Sequence, residues 1–316
     1  MSHDAGDSKK AILAALGANV GIGVMKVVAF AFTGLSSMLS EAIHSFADCG
    51  NEVLLLIGGR QSKQQATDAH PFGHGRARYI FSFLVAIVLF TAGGLFALFE
   101  AYEKISESLH GEAEHGLEGW KAWVPIAVLV GSMILEGWSL KAAADESVKI
   151  KGKLSWYGFI RKAKNPELPV VLLENLAAVI GLSFALAAVS LTLITGNPIY
   201  DGIGAALIGV LLTVMALVLM VEMYSLLVGA AASEGEQEAI TAALIGTDGI
   251  ERVIYLKTQH LSPEEVLVAA KVAIDPTDSG GEIAHIINAA EEAIRAVVPT
   301  ADQIFIEPDV WEENHV

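Results

Sequence analysis

The chain has 316 residues, is 53% hydrophobic and only 18% charged, and carries a net charge of −16. A mean hydropathy of +0.52, with the apolar residues gathered in long blocks, excludes an ordinary soluble domain of this size. A single cysteine, Cys49, excludes an intramolecular disulfide and a cysteine-rich metal site. The acidic balance argues against nucleic acid as a partner.

The opening MSHDAGDSKK has neither a signal-peptide cleavage pattern nor the Arg-rich composition of a transit peptide. Six apolar runs follow, each near the ~20 residues that a bilayer requires of a helix. They are expected at about Ala11–Thr33, Ser36–Ile57, Tyr79–Ala101, Trp123–Leu140, Leu168–Leu193 and Ile199–Met223. Lys and Arg cluster on one side. Lys9 and Lys10 precede the first run, Arg60, Lys63, Arg76 and Arg78 follow the second, and seven more lie between Lys141 and Lys164. The opposite connections, TGLSS, the acidic Glu107–Glu118 and TGNPIYD, carry few. The positive-inside rule then puts both termini on the cytoplasmic side of a lipid bilayer. The expected home is a bacterial inner membrane.

Beyond the sixth run the pattern changes. Glu236–Ile245 has helical character, Ile250–Gln259 and Val266–Ile274 read as strands, Gly281–Val297 as a helix with Ile283, Ile286, Ile287, Ala290 and Ile294 in register, and Gln303–Glu307 as a last strand. From Ser233 onward four Lys/Arg stand against seventeen Asp/Glu, so most of the net charge sits here. The expected fold is an all-α membrane bundle of six transmembrane helices over residues 1–226. A small α+β domain of order αββαβ follows over 233–316.

Ionisable residues at membrane depth are costly and normally functional. His44 and Asp48 stand one turn apart on a helix face, the spacing of half a divalent-metal site. Glu174, within PVVLLENLAAVIG, is a carboxylate flanked by apolar residues and followed by Asn175. Asp68, His70 and His74, with Gly73 to bend the chain, could close a small metal site in the loop after the second helix. Glu136 in the fourth run is a proton acceptor or part of a charged belt. Lys26 snorkels or pairs with a carboxylate, and Asn19 and Asn51 are expected to hydrogen-bond between helices. The HGEAEH loop, His110–His115, could bind cations weakly. No Walker motif, GxGxxG, nucleophile elbow or HExxH is present, so neither an enzyme nor a bound cofactor is expected.

The TGLSSMLSEAIHSFAD block, the HPFGHGRAR loop, Asn19 and Lys26, and six spans followed by an αββαβ domain together resemble the cation diffusion facilitators. These are proton-coupled exporters of zinc and related divalent metals. The resemblance covers nearly the whole chain and implies a homodimer. It implies two metal ligands from the second helix, at His44 and Asp48, and two from an H-x-x-x-D pattern in the fifth. There the carboxylate is kept as Glu174 and the histidine is replaced by Val170. It places the loop site of some members on Asp68, His70 and His74. The domain positions that carry zinc-binding histidines in relatives correspond here to Ile254, Lys271 and Glu307. Only Glu307, Asp309, His260 and His285 remain there as possible ligands, so that domain is expected to bind metal poorly or not at all and to serve dimerisation.

The expected activity is exchange of a divalent metal for protons by alternating access. Metal ligands must be deprotonated, so metal release and proton uptake form one equilibrium. A free imidazole titrates near pH ~6.5, which suits His44 to that exchange. Mixed N/O ligands favour Zn²⁺, with Mn²⁺, Co²⁺, Fe²⁺ or Ni²⁺ as alternatives. The absent fifth-helix histidine leaves open a second expectation, a non-transporting partner subunit.

Overall fold

The structure is a computed structural model that describes residues 3–33, 36–110, 123–163 and 165–312. The turn at Gly34–Leu35 and most of the HGEAEH loop lie outside the described residues. The chain divides into two compact units, Met1–Gln61 with Ala77–Tyr224, and Ser62–Arg76 with Ser225–Val316.

The first unit is a helix bundle. It contains α1 (His3–Thr33), α2 (Ser36–Gln61), α3 (Ala77–Val88), a π-helical segment (Leu89–Leu95), α4 (Phe96–His110), α5 (Trp123–Lys151), α6 (Trp156–Lys162), α7 (Glu167–Thr195) and α8 (Ile199–Val228). The run α3–π–α4 is continuous and forms one span. Among the described residues, four spans are long and apolar enough to cross a membrane by themselves: Ala77–His110, Trp123–Lys151, Glu167–Thr195 and Ile199–Val228. In α1 the apolar stretch is Leu16–Phe32. α2 keeps its length but carries Asp48, Glu52 and Arg60.

Most helices run past the apolar blocks by a turn or more. α5 continues from Leu140 to Lys151 because that stretch is rich in the helix formers Ala, Lys and Glu and holds no Gly or Pro before Gly152. α7 ends at Gly196, whose φ of +71° suits a left-handed C-cap. The short α6 was not expected from sequence. It is capped by Ser155, whose Oγ accepts from the Gly158 amide at 3.0 Å.

The centre of the bundle is a closed apolar cluster. It includes Leu55, Val85, Leu89, Leu168, Val170, Val171, Leu212 and Leu219. α1 packs on α2 and α5, and α5 on α7. α8 meets the α3–π–α4 span through small residues. A Cβ on Gly209 would lie 2.7 Å from Leu98 Cγ, and one on Gly94 would lie 2.6 Å from Thr213 Oγ1. Glycine at such points lets backbones approach where apolar burial gives no drive for association.

The second unit holds α9 (Glu234–Ile245), β1 (Arg252–Ser262), β2 (Glu265–Ala273), α10 (Gly280–Val297) and β3 (Ala301–Asp309). The sheet order is β1-β2-β3, with β1 antiparallel and β3 parallel to β2. This is the αββαβ order expected. Alternate residues of β2, Val266, Val268, Ala270 and Val272, are buried with Ile240 and Leu244 of α9 and Ala290 and Ile294 of α10. The strand period of two meets the helical period on one shared core. Both helices start with a capping box, Ser233 with Glu236 and Ser279 with Glu282.

Candidate functional site

The helix core of the first unit contains a layer of buried polar groups. α2 contributes Asp48, Asn51 and Glu52, α7 contributes Glu174 and Asn175, α5 contributes Glu136 and Ser139, and α1 contributes Asn19 and Lys26. Each is at most 5% exposed. These residues interrupt apolar runs, so helical periodicity must turn them inward or leave them facing lipid.

The amides tie the layer together across helices. Asn51 Nδ2 donates to Glu174 Oε1 at 2.6 Å, joining α2 to α7. Asn19 Nδ2 donates to Glu52 Oε1 at 2.7 Å, joining α1 to α2. Asn175 Nδ2 donates to Ser139 Oγ at 2.9 Å, joining α7 to α5. Lys26 Nζ donates to Ser45 Oγ at 3.0 Å, so this lysine is drawn into the bundle. A bond from an amide to a carboxylate at this depth is strong because no water competes for it.

Asp48 stands three residues before Asn51 on α2, and Asn51 is bonded to Glu174, so Asp48 and Glu174 share one buried layer. His44 is on α2 one turn before Asp48, but its side chain is outside the described ones. Glu136 lies well inside the 29-residue α5 and is buried. Val170 is fully buried in the apolar cluster. Among the described residues no three His, Cys, Asp or Glu side chains close on one point. The arrangement is an open set of carboxylates. Sequence reasoning passed over Glu52. The signal was present, since it stands four residues after Asp48 in the same apolar run.

The loop candidates belong to the second unit. Thr67 and His70 exchange backbone hydrogen bonds at 3.1 and 3.0 Å, and Gly73 takes φ +74°, a conformation that glycine adopts without strain. This turn brings the His70 and His74 rings to 4.6 Å between centroids. His74 Nδ1 is buried with no hydrogen-bond partner among the described residues. Asp68 is exposed and is not gathered with the two rings into a three-ligand group. In the same unit Lys271 Nζ lies 3.2 Å from Glu307 Oε1 and 2.7 Å from Asp309 Oδ2. These hydrogen bonds raise the Lys271 pKa.

Residues 12–228 match the transmembrane domain of the cation efflux family, and residues 232–309 match the cytoplasmic domain of cation efflux proteins. The chain is 32% identical over 253 residues to the mitochondrial proton-coupled zinc antiporter SLC30A9 of Xenopus laevis. That alignment covers 79% of this chain and 44% of the relative. It is 26% identical over 273 residues to metal tolerance protein C4 of Arabidopsis thaliana, covering 84% of this chain and 57% of that protein. It is also 26% identical over 284 residues to the cation-efflux pump FieF of Pectobacterium atrosepticum, covering 89% and 86%. The chain thus spans about half the length of the first two relatives. With the transmembrane match alone extending over more than half of its length, the chain belongs to the cation efflux family, also called the cation diffusion facilitators.

Proposed function

We propose that the chain exchanges a divalent metal cation for protons across a membrane by alternating access, with Zn²⁺ as the preferred metal and Mn²⁺, Fe²⁺ or Co²⁺ as alternatives. The metal is bound by His44, Asp48 and Glu174. The observation that carries this is the placement of Asp48 and Glu174 in one buried layer, with Glu174 held to α2 by the 2.6 Å bond from Asn51. Two carboxylates in a dry bundle are costly unless a cation or protons occupy them. A cation and protons competing for the same oxygens exchange for one another. The name of the SLC30A9 relatives, proton-coupled zinc antiporter, supports the same pairing.

On this proposal residues 1–226 form the transport domain and 233–316 a cytoplasmic domain that pairs two copies. Both termini face the cytoplasm of a bacterial inner membrane. Asp68, His70 and His74 form a second, loop-borne metal site that closes when metal arrives.

The test is flux through the purified protein in proteoliposomes, with a pH gradient imposed and then reversed, for Zn²⁺, Mn²⁺, Co²⁺ and Fe²⁺. Flux that reverses with the gradient is expected. Metal flux indifferent to pH overturns the exchange. A second reading, a non-transporting partner subunit, is favoured by Val170, an apolar residue where the family has a ligand. Absence of flux from a well-folded protein alone would support it.

A further inference from the structure

Glu52, like Glu136 of α5, is a buried carboxylate that the proposed transport site does not use. It lies one turn beyond Asp48 on the same face of α2, toward Gln61, and is 1% exposed. Its Oε1 accepts from Asn19 Nδ2. Its Oε2 is buried and meets no hydrogen-bond partner among the described residues. Buried polar atoms are nearly always satisfied, and an orphaned carboxylate oxygen is costly. Asp48 stands one turn before Glu52 on α2, and Asn51, the neighbour of Glu52 in the chain, holds Glu174 of α7 at 2.6 Å. Gathered carboxylates repel one another and attract a divalent ion strongly in a low-dielectric setting.

We propose that Glu52 is a further cation ligand: its open Oε2 binds the divalent ion beside Asp48, while Asn19 positions the carboxylate through Oε1. This rests on the transport reading above. Two side chains one turn apart on a helix have Cβ atoms ~5–6 Å apart, close enough for one ion to bridge their carboxylates. The described carboxylates do not close on one point in this structure, so binding draws them in. The resulting station is richer in oxygen than the His44–Asp48 pair. Oxygen-rich sets favour Mn²⁺ relative to Zn²⁺ more than nitrogen-containing ones do. Glu52 is then a specificity-determining residue as well as a ligand.

The test uses the full chain and two readouts. In detergent, Mn²⁺ alone is titrated and the free ion is followed by electron paramagnetic resonance. In proteoliposomes, apparent KM is measured for Mn²⁺ and Zn²⁺. Glu52→Gln keeps the size of the side chain and an oxygen for Asn19, and removes the charged ligand. It is expected to weaken Mn²⁺ binding by at least about tenfold and to raise KM more for Mn²⁺ than for Zn²⁺. Asn19→Ala is expected to shift both in the same direction by less. If Glu52→Gln does not yield folded protein, Glu52→Asp decides, because the shorter arm withdraws the ligand and still weakens Mn²⁺ binding. Wild-type Mn²⁺ affinity and a wild-type Mn²⁺/Zn²⁺ KM ratio in the variant that folds overturn the proposal. Absence of flux from the wild type would instead overturn the transport reading, and the Mn²⁺ titration would still decide Glu52.

Discussion

At the residue scale, the buried layer separates side chains that would hold metal from those that hold the holders. Asp48→Ala and Glu174→Ala remove oxygens from the proposed site. Flux is expected to fall below detection in each, with a monodisperse elution profile in detergent, and wild-type flux in either would misplace the site. Val170 tests the opposite kind of position. It is fully buried among apolar neighbours. Val170→His adds volume to a packed cluster, at about 1–3 kcal/mol, and buries a ring nitrogen without a partner, at a similar cost. A lower melting temperature is expected, measured in detergent with and without Zn²⁺. Recovery of the melting temperature on adding Zn²⁺ would show that residue 170 does face the metal.

At the scale of elements, two contacts that join helices escaped the pattern of apolar runs. Arg78, counted as a loop charge, begins α3 and pairs with Glu167 at the start of α7, 3.4 Å away, both side chains nearly buried. Removing one partner of a buried pair leaves the other charge buried with less compensation, at a cost of up to about 3–5 kcal/mol, whereas replacing both with apolar residues costs less. Glu167→Ala is therefore expected to destabilise the bundle more than the double change Arg78→Leu with Glu167→Leu. Thermal unfolding of the two variants side by side checks it. The second contact is α8 on the α3–π–α4 span. A methyl on Gly209 would stand 2.9 Å from Leu98 N as well as against its side chain. Backbone cannot rotate away as a side chain can, so Gly209→Ala should cost about 1–3 kcal/mol. An unchanged melting temperature would mean that the helices part there without loss.

At the scale of the molecule, the two units differ in what stabilises them. The second has its own apolar core and an acidic surface. Hydrogen bonds from Ser279 hold the Glu282 carboxyl below its ordinary value of 4.5, and those from Thr277 hold Asp275 below 3.8. A carboxylate with a lowered folded pKa adds stability above its unfolded pKa and loses that contribution as pH falls through the folded value. The fragment 225–316 is therefore expected to lose denaturant stability as pH drops below about 4.5. Ser279→Ala is expected to cost about 0.5–2 kcal/mol at neutral pH and to flatten that acid dependence. An equal acid dependence in Ser279→Ala would remove the capping box as its cause.

The sequence by itself determined the class of the fold, the existence of the apolar helices and the αββαβ order, because these follow from runs of apolar residues and their period, which are local properties. It also displayed Asp48 and Glu174 as carboxylates out of place, since burial cost is legible wherever a charge interrupts an apolar run. What only the tertiary structure decided was partnership. That Asn51 serves Glu174, that Asn19 serves one oxygen of Glu52 and leaves the other open, and that Arg78 meets Glu167 all depend on which helix faces which. The π-helical segment Leu89–Leu95 was hidden for the same reason. Its extra residue per turn leaves the apolar run unbroken, and its Gly94 is set against Thr213 of α8 by the packing of the two helices.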